Sequence, residues 1–229
     1  MNIGTIKAIS FDGDGTLWDF EKVMRNSLHH VLLELERIDS QAAALLNIDK
    51  MIEIRNQITS DLKGVIANLE SIRLEAFRRT LKDIGKPNDN LAEHLNQVYL
   101  QHRFDDIELY DDVFPVLDTL KARYTLGLLS NGNSYPERTG LPGMFRFVVF
   151  SQDFEIEKPD PRIFEIALEK AECTKEQLLH VGDSLTNDVE GAKAAGITCV
   201  WLNRNGMANQ SNVKPDFEIR SLLELLNIV

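Results

Sequence analysis

Residues 6–16 read Ile-Lys-Ala-Ile-Ser-Phe-Asp-Gly-Asp-Gly-Thr, and this stretch decides the fold. Its first part is rich in apolar and β-branched residues, whereas the Asp-Gly-Asp-Gly cluster is typical of a tight loop. The pattern predicts a buried strand that ends directly before two aspartates, Asp12 and Asp14. A pair of carboxyl groups at a strand end can supply one nucleophile and one proton donor.

The remainder of the chain falls into two parts with different periodicities. From about residue 18 to 106, apolar residues recur at helical spacing, and Gly85 with Pro87 forms a helix stop signal. Beyond this part, short apolar runs alternate with amphipathic helical patterns. The strands predicted there are 124–129, 147–150, 178–181 and 198–202. Alternating strands and helices imply a parallel sheet covered on both faces. We therefore predict an α/β core, residues 1–17 and 107–229, that carries an inserted helical module, residues 18–106.

Composition limits the location and the partners that we expect. The chain has 229 residues and a net charge of −11, which is unsuited to binding nucleic-acid backbones. Neither a membrane-spanning apolar run nor a signal peptide is visible. The two cysteines, Cys173 and Cys199, are far apart, and none of the histidines has metal-ligand spacing. We expect a cytoplasmic protein that binds neither nucleic acid nor membrane and is a monomer or a weak homodimer.

Four short motifs lie at the ends of predicted strands or just before a helix. They are Asp12-Gly13-Asp14-Gly15-Thr16, Ser130-Asn131-Gly132, Lys158-Pro159, and Gly182-Asp183 followed by Asp188. Glycines let backbone N–H groups approach an anion, a serine hydroxyl suits phosphoryl oxygens, and carboxylates are hard ligands for Mg²⁺. Each motif alone is typical of an ordinary turn or a solvated residue. Because the carboxyl ends of parallel strands share one edge of the sheet, the ordered set predicts one common site.

The chain resembles the haloacid dehalogenase superfamily in four places. These are Phe11-Asp12-x-Asp14-Gly15-Thr16-Leu17, Ser130-Asn131-Gly132, Lys158-Pro159-Asp160 and Gly182-Asp183-x-x-x-x-Asp188. The resemblance implies a Rossmann-like sheet with the first and fourth strands adjacent, and a four-helix cap over residues 18–106. Residues 182–188 and 201–203 most resemble 5′-nucleotidases and N-acylneuraminate-9-phosphatases, with phosphoglycolate phosphatases close behind.

The same resemblance implies a mechanism and a set of site residues. Asp12 would attack phosphorus and form an aspartyl-phosphate, while Asp14 would protonate the leaving alkoxide and then activate water. Mg²⁺ would be held by the Asp12 carboxylate, the Asp14 backbone carbonyl and Asp183, with Asp188 in support. The residues implied for the phosphoryl oxygens are Thr16, Ser130, Asn131 and Lys158. The expected activity is therefore Mg²⁺-dependent hydrolysis of a small phosphorylated metabolite.

Asp14 separates two reaction classes of the superfamily. Dehalogenases in it use only the first aspartate and lack the second carboxylate, so Asp14 favours phosphate chemistry. The chain departs from the common pattern at Gly13, where relatives often have an apolar residue. It departs again at Asp111-Asp112-Val113, where relatives often have Pro-Gly-Val, and we expect this change to affect only the local turn.

Other functions remain compatible with parts of the pattern. A phosphoglucomutase-like transfer would use the same Asp12 and Asp14 pair, and no residue of the helical module excludes it. A receiver-type signalling module also clusters aspartates, a hydroxyl and a lysine, but it is about half this length and places its aspartate in mid-chain. A catalytically idle relative would not be expected to keep Lys158 and Asp183 as well. In the module, Arg73 is a candidate contact to substrate.

Overall fold

The computed structural model describes residues 3–62, 68–209 and 212–229. Contacts between residues divide the chain into two compact units. One unit is formed by Met1–Asp19 together with Glu108–Val229, and the other by Phe20–Ile107. In chain order, the second unit is therefore an insertion into the first.

The inserted unit is helical in its described residues. Its helices are α1 (Phe20–Ile38), α2 (Ser40–Ala43), α3 (Ile48–Leu62), α4 (Leu69–Asp83) and α5 (Asp89–Asp105). All but the short α2 contain 15 residues or more. The residues that α1 buries follow the three- and four-residue spacing of one helix face, and they are Val23, Met24, Ser27, Leu28, Val31 and Leu35. This face packs against α5, so periodicity in the sequence accounts for the core of the unit.

The ends of these helices follow from local sequence. Asn68 and Asn88 precede α4 and α5, and each side chain accepts a hydrogen bond from a backbone N–H group of the first turn. Helix α4 stops shortly before Gly85, whose φ of 73° lies in the left-handed region. The Lys86 N–H group then donates to the Leu81 carbonyl at 2.9 Å, which closes the helix. The predicted stop signal is confirmed.

The other unit contains a parallel sheet. Its strands are β1 (Ala8–Phe11), β2 (Thr125–Ser130), β3 (Phe147–Phe150), β4 (Leu178–Gly182), β5 (Thr198–Leu202) and β6 (Phe217–Ile219). They lie in the order β3-β2-β1-β4-β5-β6, and every neighbouring pair is parallel. The predicted α/β class is confirmed, as is the adjacency of the first and fourth strands. Strand β6 was not predicted.

Helical segments connect these strands, and a last one follows β6. They are α6 (Val113–Leu120), α7 (Ser151–Phe154), α8 (Pro161–Lys170), a π-helical turn (Leu185–Glu190), α9 (Gly191–Ala194) and a final 3₁₀ segment (Leu222–Asn227). All four residues of β1 are buried, as expected of a strand covered on both faces. The order of strands reverses beside β1, and such a reversal opens a crevice at the carboxyl ends of the strands.

None of the helices in the described part of the chain combines the length and the apolar character needed to span a membrane.

Candidate active site

The sheet brings the predicted motifs to one edge. Asp12 directly follows β1, Ser130 is the last residue of β2, and Gly182 is the last residue of β4. Since β1 pairs with both β2 and β4, these three strand ends are neighbours. The Asp12 N–H group donates to the Val181 carbonyl at 2.9 Å, so the backbone of Asp12 is fixed to β4.

Lys158 is the central cation of this edge. Its side chain is 2% exposed, and its Nζ atom donates to Asp12 Oδ1 at 2.6 Å, to Asp188 Oδ1 at 2.6 Å and to the Leu129 carbonyl at 3.0 Å. An ammonium group has three donors, and all three are used. Burial opposes the charged form, but the two carboxylates raise the pKa of Lys158 above its ordinary value. The lysine is therefore held as a charged group beside Asp12.

Asp188 holds Lys158 in place. Besides the lysine, its carboxylate contacts His180 Nε2 at 3.1 Å and accepts from the Ser184 N–H group at 2.9 Å. Burial opposes ionisation of Asp188, yet Lys158 and His180 together hold its pKa well below the usual range. Burial lowers the pKa of His180, whose Nδ1 atom contacts Ser10 Oγ at 2.9 Å. Asp188 is thus an anchored anion beneath the site.

Asn131 connects the second and third motifs. Its Nδ2 atom donates to the Lys158 carbonyl at 2.9 Å, and its Oδ1 atom accepts from the Lys158 N–H group at 2.8 Å and from Ser151 Oγ at 2.6 Å. Because the side-chain amide holds the backbone of Lys158, a role for Asn131 in binding phosphate rests on its backbone N–H group. Ser130 Oγ accepts from the Gly132 N–H group at 3.0 Å.

Asp14 is oriented by a tryptophan. Trp18 is 1% exposed, and its Nε1 atom donates to Asp14 Oδ1 at 2.7 Å. The same indole explains the glycine at position 13, because a Cβ atom there would lie 2.7 Å from Trp18 Cζ2. An apolar side chain at residue 13 would therefore displace the tryptophan that orients Asp14.

Asp183 lies against the loop after β1. Thr16 Oγ1 donates to Asp183 Oδ1 at 3.5 Å, and Trp201 Nε1 donates to the Asp183 carbonyl at 2.8 Å. Gly15 has a φ of 83°, and a Cβ atom at this position would collide with the Asp183 carboxylate. Both the backbone conformation and the close approach of Asp183 therefore require glycine at residue 15.

The donor set of this edge fits a divalent cation. Asp12, Asp183 and Asp188 each offer an oxygen, and these oxygens lie within 4.8 Å of one another. Burial raises the pKa of Asp12 well above its ordinary value, and Asp188 and Asp183 add to this against the opposing effect of Lys158. Burial, with a contribution from Asp188, raises the pKa of Asp183 to about 7. Asp12 and Asp183, whose ionisation is disfavoured, therefore lie beside the ionised Asp188, and this crowded set of oxygens matches a hard cation such as Mg²⁺.

The raised pKa of Asp183 predicts an unusual effect on stability. The folded protein binds this proton more tightly than the unfolded chain does, so ionised Asp183 lowers stability increasingly as pH rises from about 4 to 7. In the presence of a chelator at about pH 8, Asp183→Asn is expected to raise the free energy of unfolding by about 1–3 kcal/mol, allowing for screening of a partly exposed group. Thermal or denaturant unfolding measures this difference.

Two comparisons check the origin of that effect. The advantage of the Asn variant should shrink as pH falls to about 5, because the wild-type carboxyl group becomes protonated. Added Mg²⁺ should stabilise the wild type more than the variant. An advantage independent of pH would contradict the assigned cause.

Arg73, the candidate predicted in the helical unit, lies on α4. Its guanidinium lies 5.4 Å from the centre of the Tyr99 ring. Within the part of the chain that the structure describes, its buried Nη1 atom has no hydrogen-bond partner. Burial, and then the charge of Arg103, lowers the pKa of Arg73 to about 10. This guanidinium is suited to an anionic group.

Sequence reasoning missed two residues of the site. His180 was set aside with the other histidines, although it is fully buried and contacts Asp188. Trp18 was not named as a site residue, and its hydrogen bond to Asp14 was not predicted. The position of His180 within an otherwise apolar predicted strand could have indicated its role, because a buried imidazole needs polar partners.

Comparisons with known proteins agree on one family. The model of the haloacid dehalogenase-like hydrolase family matches residues 6–196. Glyceraldehyde 3-phosphate phosphatase from Methanopyrus kandleri is 30% identical over an alignment 236 positions long, which covers 98% of this chain and 97% of the relative. Pyrimidine 5′-nucleotidase from Streptococcus pneumoniae is 28% identical over 228 residues, covering 96% and 94%. A solved structure of 2-haloacid dehalogenase from Pseudomonas syringae matches with a TM-score of 0.82 at 30% identity, covering 97% of each chain.

Proposed function

The chain belongs to the haloacid dehalogenase-like hydrolase family, and we propose from this that it hydrolyses phosphate monoesters of small metabolites with Asp12 as nucleophile. The main support for the proposal is the second carboxylate, Asp14, which is held by Trp18. It follows Asp12 by two residues, and Asp12 is buried and paired with Lys158. A nucleophile, a proton donor and a cation then lie along one edge of the sheet.

The proposed reaction has two steps on the same aspartate. A carboxylate oxygen of Asp12 forms a bond to phosphorus as the bond to the ester oxygen breaks, and Asp14 donates a proton to the departing alkoxide. The ionised Asp14 then takes a proton from water, which attacks the aspartyl-phosphate and releases phosphate. Lys158 offsets the negative charge of Asp12 and of the phosphoryl group, without which the two anions would repel each other.

The other predicted residues complete the proposal. The Ser130 hydroxyl, Thr16 and the backbone N–H group of Asn131 would bind phosphoryl oxygens. Mg²⁺ would be held by Asp12, Asp183 and the Asp14 carbonyl, and when bound it would add positive charge beside the phosphoryl group. Asp188, already anchored to Lys158, would support the site.

We also propose that the helical insertion, residues 18–106, is the cap that selects the substrate, with Arg73 contacting an anionic or hydroxylated group. Two relatives are named for glyceraldehyde 3-phosphate and for pyrimidine nucleotides. A screen with the purified protein should therefore include triose phosphates, nucleoside monophosphates, sugar phosphates and phosphoglycolate. The free cysteines, Cys173 and Cys199, support the proposal of a cytoplasmic location.

A second candidate is dehalogenation, because the solved structure with a TM-score of 0.82 bears the name 2-haloacid dehalogenase. In that chemistry the first aspartate attacks carbon, and the second carboxylate has no role. The presence of Asp14 and its fixed hydrogen bond to Trp18 favour the phosphatase.

One pair of assays separates the two functions. With Mg²⁺, the protein is expected to turn over p-nitrophenyl phosphate, to lose this activity in chelator, and to regain it when Mg²⁺ is restored. It is expected to release no chloride from 2-chloropropionate. Chloride release that continues in chelator, without phosphatase activity, would replace the proposed function by the second candidate.

A further inference from the structure

An ion pair with little exposure to solvent joins two parts of the α/β unit that are distant in sequence. Arg204 Nη1 donates to Asp112 Oδ2 and Arg204 Nη2 to Asp112 Oδ1, both at 2.9 Å. The side chains are only 18% and 9% exposed, respectively. Asp112 Oδ2 also accepts from Ser221 Oγ at 2.7 Å and from the Leu222 N–H group at 2.8 Å. The carboxylate is thus saturated with donors, and it fixes the guanidinium in one bidentate orientation.

The fixed guanidinium reaches the loop that carries the two catalytic aspartates. Arg204 Nη2 also donates to the Thr16 carbonyl at 3.0 Å, and Thr16 is fully buried. The guanidinium carbon lies 4.0 Å from the centre of the Tyr110 ring, and the Tyr110 N–H group donates to the Leu17 carbonyl at 3.1 Å. Two consecutive backbone carbonyls are therefore held. Arg204 binds that of Thr16, and Tyr110, on which Arg204 stacks, binds that of Leu17.

The position of Thr16 bears directly on the reacting groups. The loop from Asp12 to Thr16 is a tight turn, in which the Thr16 N–H group donates to the Gly13 carbonyl at 3.2 Å. On its other side, Thr16 Oγ1 lies 3.5 Å from Asp183. A shift of Thr16 would therefore change the placement of Asp14 relative to Asp12 and Asp183. Misplacing a catalytic group by about 1 Å costs up to about 100-fold in rate.

This contact depends on a feature in which the chain departs from the common superfamily pattern. Position 112 is an aspartate. The resemblance described above would place glycine there, which has no side chain to pair with an arginine. We propose that Arg204 and Asp112 are positioning residues of this enzyme, which fix the catalytic loop through the Thr16 carbonyl. The proposal rests on the phosphatase function proposed above.

The test compares this ion pair with a matched pair elsewhere in the same unit. Lys193 Nζ lies 2.7 Å from Asp216 Oδ1, and the Asp216 carboxylate is 6% exposed and accepts from the Cys199 N–H group. The variants are Arg204→Met, Arg204→Lys, Asp112→Asn and the double variant Arg204→Met with Asp112→Asn. The control variants are Lys193→Met and Asp216→Asn. The Tm of each variant is measured first. The kcat, the KM for p-nitrophenyl phosphate and the Mg²⁺ concentration for half activation are then measured well below that temperature.

A positioning role predicts a pattern that lost stability alone does not produce. Arg204→Met should lower kcat about 10- to 100-fold and raise the half-activating Mg²⁺ concentration, with a much smaller change in KM. Arg204→Lys should recover part of kcat, because a lysine can still donate to one carbonyl. The double variant should be no slower than the slower single variant, since the two residues act as one unit. The control variants should keep kcat within about twofold at a comparable loss of Tm.

Two outcomes would overturn the proposal. One is a folded Arg204→Met protein with wild-type kcat and Mg²⁺ dependence, and the other is an equal loss of kcat in the control pair. A wild-type protein without phosphatase activity would instead refute the proposed function. In that case, amide hydrogen exchange at residues 15–17 tests whether Arg204 holds the loop. Exchange should be at least about tenfold faster in Arg204→Met than in the wild type. Unchanged exchange would refute the contact.

Discussion

Asp12→Asn is expected to lower kcat for p-nitrophenyl phosphate by about 10,000-fold or more while the protein stays folded. The amide has nearly the shape of the carboxylate but is not a nucleophile. Removing the charge also relieves the crowding with Asp183 and Asp188 that contributes to the raised pKa of Asp12. Lys158 keeps Asp188 as a partner, so no buried charge is left alone.

Initial rates with saturating Mg²⁺, together with Tm, measure this effect. Asp216→Asn is the matched control, because it makes the same change in a buried carboxylate that is also paired with a lysine. Asp12→Ala should accompany Asp12→Asn, because an asparagine followed by Gly13 can deamidate and regenerate the nucleophile. A folded Asp12→Ala protein that keeps a hundredth or more of the wild-type kcat would rule out Asp12 as the nucleophile.

Lys158→Met is expected to damage both stability and activity. The substitution leaves Asp12 and Asp188 buried without their shared cation, and breaking a buried ion pair costs about 3–5 kcal/mol. The same change removes the charge that lets Asp12 approach a phosphoryl group, so kcat should fall by about 1,000-fold. Denaturant unfolding and steady-state rates report the two effects separately.

The pH dependence of the Lys158 variant checks its physical cause. Lys158 holds the pKa of Asp188 low, and stability from a lowered carboxyl pKa is present above the unfolded value and lost as pH falls. In the variant the buried carboxyl groups take up protons more readily, so the stability gap to the wild type should narrow as pH falls toward the unfolded carboxyl pKa of about 4. Lys193→Met, which removes a more exposed ammonium group, is the control. A gap that widens on acidification would contradict the assigned role of Lys158.

The sequence was sufficient to predict the features that depend on local pattern. Apolar runs predicted β1 to β5, and helical spacing predicted that the stretch between β1 and β2 is helical. The strand ends predicted which residues follow β1, β2 and β4 at one edge of the sheet. These signals are local, because the hydrophobic period and the turn-forming residues can be recognised within a short stretch of consecutive residues. The short strand β6 has only three residues, too few to show a period.

Contacts between distant residues could not be predicted in the same way. The departure at Asp112 was expected to affect only a local turn, but its carboxylate binds Arg204, which is 92 residues away in sequence. Asn131 was predicted only as a phosphate-binding residue, and the hydrogen bonds of its side-chain amide to the backbone of Lys158 were not predicted. Neither contact produces a periodic pattern in the sequence, because each depends on how distant parts of the chain pack together.

Direct capture of a phosphoryl group on Asp12 is the measurement that tests the central claim. Asp14→Ala removes the proton donor and the base, and unlike Asp14→Asn it cannot deamidate beside Gly15 and regenerate them. p-Nitrophenolate, which leaves without being protonated, should still depart while hydrolysis of the phospho-enzyme slows. The variant is mixed with p-nitrophenyl phosphate and Mg²⁺, quenched in acid, reduced with borohydride and mapped by mass spectrometry. If Asp12 is the nucleophile, Asp12 alone should be reduced, and the reduction should depend on substrate and Mg²⁺ and be absent in Asp12→Ala. Continued release of phosphate with no modified Asp12, or modification of a different residue, would contradict it.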